Sequence, residues 1–175
     1  MKHARTRRKP LIWLVVTAVL LTSLAGAAVV TGVWETVRAH IRAASWEEEK
    51  PTGPDRLTAR MRAVRDAITK EFDLPAEPGC YREEGGIPGG GEHPLGRACD
   101  FMLGPVGKRA EGEAHQLGKE IVAWAREHAD EYGIWYVIYE QHIWSSRWPR
   151  QGYEKMEDRG SITLNHYDHV HISVY

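Results

Sequence analysis

A chain of 175 residues with two cysteines and a formal charge of −1 has room for one domain and a targeting segment, and its near-neutrality hides an uneven distribution. Lys2, Arg5, Arg7, Arg8 and Lys9 are basic and no acid precedes Glu35, so residues 35–175 carry 18 basic and 24 acidic side chains, a net of −6. That acidity argues against a nucleic-acid partner, which calls for clustered Lys and Arg, and two cysteines without CxxC spacing argue against a thiolate zinc site.

Residues 1–10 read as a basic cytoplasmic head. From Leu11 to Trp34 there are 24 residues without a charge, enough to cross a hydrocarbon core that needs about 20. Ala25-Gly26-Ala27 offers a small-x-small cleavage site, but the apolar run continues past it to Trp34, an aromatic suited to a membrane interface. Residues 11–34 are therefore expected to be a single-pass transmembrane anchor, or else a cleaved signal segment. Either one places the C-terminal domain outside the cell, membrane-held or secreted. Residues 35–54 read as a linker and residues 55–175 as the folded domain. In an exported domain, Cys80 and Cys99 are expected to form a disulfide closing a loop of about 20 residues, worth roughly 3 kcal/mol on the loop-entropy argument.

Leu57, Met61, Val64, Ile68 and Phe72 recur at helical spacing and predict a helix over 55–72. Cys80-Tyr81-Arg82 reads as a short strand, followed by a glycine-rich loop over 83–91 that lacks the Lys-Ser/Thr of a phosphate loop. A strand is expected over 98–103 and a long helix over 108–132, with His115 and His128 as surface or packing residues. Ile134–Tyr139 is the clearest strand, continuing through Trp144 with one wet face. Residues 145–164 form a long connection of the kind that is usually functional, and a last strand runs over 169–175. The pattern predicts an α+β fold: a small mixed antiparallel sheet with two packed helices, preceded by the N-terminal transmembrane helix.

The C-terminal run His166-Tyr167-Asp168-His169-Val170-His171 places three histidines within six positions. His169 and His171 are two apart, so on a strand they point to one face. Some seventy residues earlier, His93-Pro94-Leu95-Gly96-Arg97-Ala98-Cys99-Asp100 follows the pattern His-x-x-Gly-x-Ala-x-Asp. That pattern resembles the D-Ala-D-Ala carboxypeptidase and Hedgehog-type zinc peptidases. Gly79-Cys80-Tyr81-Arg82 is similar to their Ser-Gly-Tyr-Arg element, and the spacing His166-x-x-His169-x-His171 to that of the murein endopeptidases of the same clan. The likeness covers about residues 75–175 in four ordered elements and points to exported, actinobacterial-type members.

The resemblance implies Zn2+ held by His93, Asp100 and His171, with the fourth position open for water. It implies Asp168 as general base and Arg82 as the clamp on a substrate carboxylate or developing oxyanion. On a regular strand the odd offset turns Asp168 away from His171, so His169 stands as the second candidate base. His166 is assigned to substrate binding or to capping the strand. The implied activity is metallopeptidase hydrolysis of an amide bond in peptidoglycan stem or crosslink peptides, and the alternative is a zinc-stabilised extracellular binding module without turnover. Three departures stand out: Gly91 where the family has serine, Asp rather than Glu at position 168, and Val170 where many members have Trp.

Overall fold

The computed structural model describes residues 44–85 and 91–175, with Val33, Trp34, Val37, Arg38 and Ile41 ahead of them. The chain divides into two compact units, residues 1–38 and 39–175. In the first, the described residues are helical, and the Arg38 guanidinium lies 5.2 Å from the centre of the Trp34 ring. The expected head, 1–10, and anchor, 11–34, fall outside the described residues except for Val33 and Trp34. Among the described residues no helix is long and apolar enough to cross a membrane.

The second unit is an α+β domain with the element order α1 (Ala59–Glu71), β1 (Ala98–Met102), α2 (Gly112–Glu127), α3 (Ala129–Tyr132), β2 (Ile134–Tyr139), β3 (His142–Ser145), β4 (Glu154–Lys155) and β5 (His169–Val174). The strands form one five-stranded sheet in the order β1-β5-β2-β3-β4, with every pairing antiparallel. The sheet is thus not mixed, and β5, the last strand in sequence, sits between β1 and β2.

The sequence of β5, His-Val-His-Ile-Ser-Val, explains the layering. Val170, Ile172 and Val174 are fully buried in the core with Leu57, Met61, Val64 and Ile68 of the α1 side and Ile121 and Ala125 of α2. Each such side chain stabilises the fold by about 1.5–3 kcal/mol. His169, His171 and Ser173 alternate with them and therefore share the opposite face. That face is also buried, with the three residues at 4%, 7% and 0% exposure, so polar groups there must find partners within the protein.

Helix α1 starts at Ala59, capped by Thr58, whose hydroxyl accepts from Met61 N at 3.1 Å. The second predicted helix begins later than expected, at Gly112, and breaks at His128 (φ −96°, ψ 10°) into α2 and α3. Ile134–Trp144 is not one strand. The chain reverses at Glu140 (φ 48°) and Gln141 (φ 60°), a two-residue hairpin turn built without glycine. Nor do Cys80–Arg82 form a strand: only Gly79 pairs with β1, through reciprocal 2.9 Å hydrogen bonds with Asp100. Beyond Gly79 the Cys80 carbonyl faces the His93 ring instead of a strand partner. The Cys80–Cys99 disulfide is formed and ties this segment to β1. The end of the expected linker also docks: Trp46 lies under Arg60 at 4.6 Å, and Glu49 Oε2 accepts from Arg60 N at 2.9 Å.

Candidate metal centre

Sheet register brings the two distant histidine segments together. Asp100 on β1 lies directly opposite His171 on β5, and Met102 opposite His169. His93 arrives on a tight turn closed by Gly96 N to His93 O at 3.0 Å and Arg97 N to Glu92 O at 3.0 Å. The turn is fastened to β5 by Val174 N to Arg97 O at 2.9 Å. Gly96 (φ +65°) passes so close to the start of α1 that a Cβ there would stand 2.2 Å from the Arg56 carbonyl oxygen. This is the physical requirement behind the glycine of the histidine motif.

His93, Asp100 and His171 each offer one ligand atom, all within 4.8 Å of one another, and all three residues are buried. His93 Nε2 is 3.3 Å from His171 Nδ1 and 3.3 Å from Asp100 Oδ1, and His171 Nδ1 is 2.8 Å from Asp100 Oδ1. Ligands about 2.0–2.1 Å from a tetrahedral ion lie roughly 3.3 Å apart. Two of the three edges already have that length, and two imidazoles with one carboxylate form a donor set that suits zinc.

The partners on the far side of each ring fix which nitrogen faces inward. His93 Nδ1 meets the Cys80 carbonyl, which can only accept and lies closer than the Arg82 Nη1 at 3.2 Å, so the carbonyl contact places the proton on Nδ1 and leaves the Nε2 lone pair for the centre. His171 Nε2 lies 2.8 Å from Ser173 Oγ, leaving Nδ1 on the centre, and the ring stacks on Tyr136 at 5.5 Å. His169 Nδ1 donates to Asp168 Oδ1 at 2.6 Å, and its Nε2 stands 3.5 Å from Asp100 Oδ1. His166 Nδ1 donates to Leu164 O at 3.0 Å, with its ring 4.7 Å from that of His169. Four imidazoles are thus held from outside, each with its second nitrogen available to the cluster or the cleft.

Electrostatics favours neutral imidazoles at His166 and His171 and an ionised Asp100. Burial works to raise the Asp100 carboxyl, but hydrogen bonds from His171 and His93 outweigh it and hold the group well below the usual range. Burial pushes His171 down against the pull of Asp100. Burial, reinforced by His169 and His171, pushes His166 down to about 3. Burial raises the Tyr136 phenol to about 12.

The remaining residues take places that sequence alone did not specify. Asp168, fully buried, has both oxygens engaged: Oδ2 accepts from Thr163 Oγ1 at 2.6 Å and Gly107 N at 2.7 Å, and Oδ1 accepts from His169. Its role in the site runs through His169. Arg82 donates from Nη1 to Asp100 Oδ2 at 2.7 Å and pairs through Nη2 with Glu84 at 2.8 Å. His115 pairs with Glu140, and His128 stacks on Trp124, both apart from the cluster. The cluster opens into a cleft of about 470 Å³ whose walls include Arg82, Tyr136, Arg159, Thr163, Leu164 and His166. Sequence reading passed over Ser173, Tyr136, Thr163 and Gly107. Ser173 had a usable signal, being two positions from His171 on the same strand face, whereas Gly107 and Thr163 meet Asp168 only through the fold.

Fold and site together define an α+β domain with a buried two-histidine, one-aspartate cluster lining a cleft. The family described as VldE, C-terminal domain, matches residues 53–167, and the chain belongs to it. The matched span holds Arg82, His93, Asp100 and His166 and ends just before Asp168. The chain is also similar to a protein of Arthroderma benhamiae named "Uncharacterized secreted protein", 32% identical over 137 residues, covering 65% of this chain and 55% of that protein. The chain therefore spans about half the length of this curated relative. No solved structure matches.

Proposed function

We propose that the domain is a zinc-dependent metallopeptidase that hydrolyses an amide bond in peptidoglycan stem or crosslink peptides outside the cell. The observation that carries this reading is the convergence of His93 Nε2, His171 Nδ1 and Asp100 Oδ1, each ring oriented by a partner behind it. Zinc bound by these three residues would lower the pKa of water toward about 7 and polarise a carbonyl. His169 accepts the proton at Nε2 as general base, because its other nitrogen is held by Asp168, whose charge stabilises the imidazolium. Asp168 acts as the positioning residue for that base, since its own oxygens are occupied. His166 faces the substrate from the cleft wall, and Arg82 holds the outer oxygen of Asp100, so it acts first on the ligand and only secondarily on substrate.

The Cys80–Cys99 disulfide, which persists in oxidising compartments, and the secreted relative both support an extracellular domain. A membrane anchor rests on the composition of residues 11–34 alone. The peptidoglycan substrate rests on the resemblance of the His93–Asp100 and His166–His171 motifs to the zinc peptidases. The test is digestion of crosslinked muropeptides by the zinc-loaded chain, read by mass spectrometry. Wild type should release a fragment that His169→Ala does not, while that variant keeps its zinc. Zinc retained by a wild type that leaves every muropeptide intact would replace the hydrolase with the zinc-stabilised binding module.

A further inference from the structure

We propose that Arg159 is the residue that reads a carboxylate of the peptide in the cleft, and so decides which peptides the site accepts. This deepens the proposed function and rests on its reading of the cleft as a peptide site. Two arginines line the cleft, Arg82 and Arg159. Arg82 is already occupied, its two terminal nitrogens lying on Asp100 Oδ2 and Glu84 Oε1 at 2.7 and 2.8 Å. The acids on the cleft wall are occupied as well: Glu84 by Arg82, and Glu92 by Arg97 at 2.7 Å. Among the described residues no carboxylate pairs with the Arg159 guanidinium, and residues 86–90, which are not described, contain no acid.

The segment that carries Arg159 is built to hold it. Arg159 N donates to Asn165 Oδ1 at 2.8 Å, and Asn165 Nδ2 donates to Asp158 Oδ1 at 2.7 Å. The same Asp158 oxygen accepts from Gly160 N at 2.8 Å, so the acid next to Arg159 in sequence is engaged by the turn. Asn165 N to Ser161 O at 3.0 Å and His166 N to Thr163 O at 3.0 Å close the loop. Gln141 N to Asn165 O at 2.7 Å and Glu140 N to His166 O at 2.9 Å dock it on the β2–β3 turn. The charge of Arg159 reaches Tyr136 and His166 inside the cleft. An exposed, unmatched guanidinium on a pinned loop lining the same cleft of about 470 Å³ as the histidine–aspartate cluster is an arrangement that accepts a carboxylate in a forked, charge-assisted pair. That carboxylate is either the free C-terminus of the peptide or an acidic side chain within it.

The experiment measures binding by calorimetry to the full-length chain in zinc-free buffer. The three probes are a tripeptide acid ending in D-Ala-D-Ala, its C-terminal amide, and that amide with a glutamate in the first position. Wild type should bind one of the carboxylate-bearing peptides about tenfold or more tighter than the plain amide. The preferred probe identifies whether the source is terminal or side-chain. Arg159→Gln should remove the preference and Arg159→Lys restore part of it. Equal binding of all three probes, a preference that survives in Arg159→Gln, or no binding at millimolar peptide would overturn the assignment. Muropeptide hydrolysis is scored separately. Selective binding without hydrolysis sinks the hydrolase and leaves Arg159, whereas hydrolysis of acid and amide with equal kcat/KM does the reverse.

Discussion

Gly96→Ala is the substitution that most directly asks whether the histidine turn and the start of α1 are packed as described. The alanine would have to keep φ near +65°, a conformation that costs an L-residue about 1–2 kcal/mol. Its Cβ would stand 2.2 Å from Arg56 O and 3.1 Å from Leu57 Cα, both backbone atoms that cannot rotate away. Overpacking of this kind costs about 1–3 kcal/mol, so the expected loss is roughly 2–5 kcal/mol. Movement of the turn would also strain Thr58 N to Gly96 O, a 2.9 Å bond that ties it to the α1 cap. The control is Gly79→Ala, where a Cβ meets nothing within 4 Å and φ lies outside the positive range, with an expected change under about 0.5 kcal/mol. Urea unfolding of the two variants beside wild type, followed by tryptophan fluorescence, measures both. A Gly96→Ala protein within 0.5 kcal/mol of wild type would refute the close approach.

Thr58→Ala removes the α1 cap and leaves Met61 N without its 3.1 Å partner; urea titration should show a loss of about 1 kcal/mol. Replacing Cys80 and Cys99 together by alanine opens a loop with a sequence separation of 19 and should lower stability by about 3 kcal/mol in the same assay. Zinc affinity should fall with it, measured by competition with a chromophoric chelator, because Cys80 presents its carbonyl to His93 and Cys99 adjoins Asp100. The Asp55 carboxyl is held below its ordinary 3.8 mainly by hydrogen bonds from Arg62, partly offset by desolvation. Its folded-state pKa is depressed, so its contribution is complete above the ordinary value of 3.8 and is lost as pH falls from there through the folded pKa. Acid unfolding below pH 3.8 should therefore be shallower in Asp55→Asn than in wild type, by circular dichroism.

How far the sequence could be read depended on whether a signal was local. The spacing of His169 and His171 puts them on one strand face without reference to any other strand, and they do share a face, whereas Val170 packs into the hydrophobic core with Ile172. The helix expected over 55–72 and found at Ala59–Glu71 was legible for the same reason, its stripe repeating at 3.6 residues. The reversal at Glu140-Gln141 was not, because the turn uses two left-handed non-glycine residues where Asn-Gly or Asp-Gly would have announced it. Asp168 shows another limit. Sequence spacing set it three residues before His171, but its environment comes from Gly107 and Thr163 on two separate loops, which nothing in the local pattern brings together. Arg159 stayed hidden for a related reason: a charge in a long connection reads as solvated until the loop around it is seen pinned by Asn165.

The central claim is that one cation sits among His93, Asp100 and His171, and crystals grown with zinc, with data collected on both sides of the zinc absorption edge, test it most directly. The account predicts a single anomalous peak per chain bonded to His93 Nε2, an Asp100 oxygen and His171 Nδ1, absent from His171→Ala and still present in His169→Ala. Crystals with no anomalous peak at these atoms, or with zinc only at surface histidines such as His115, would contradict it.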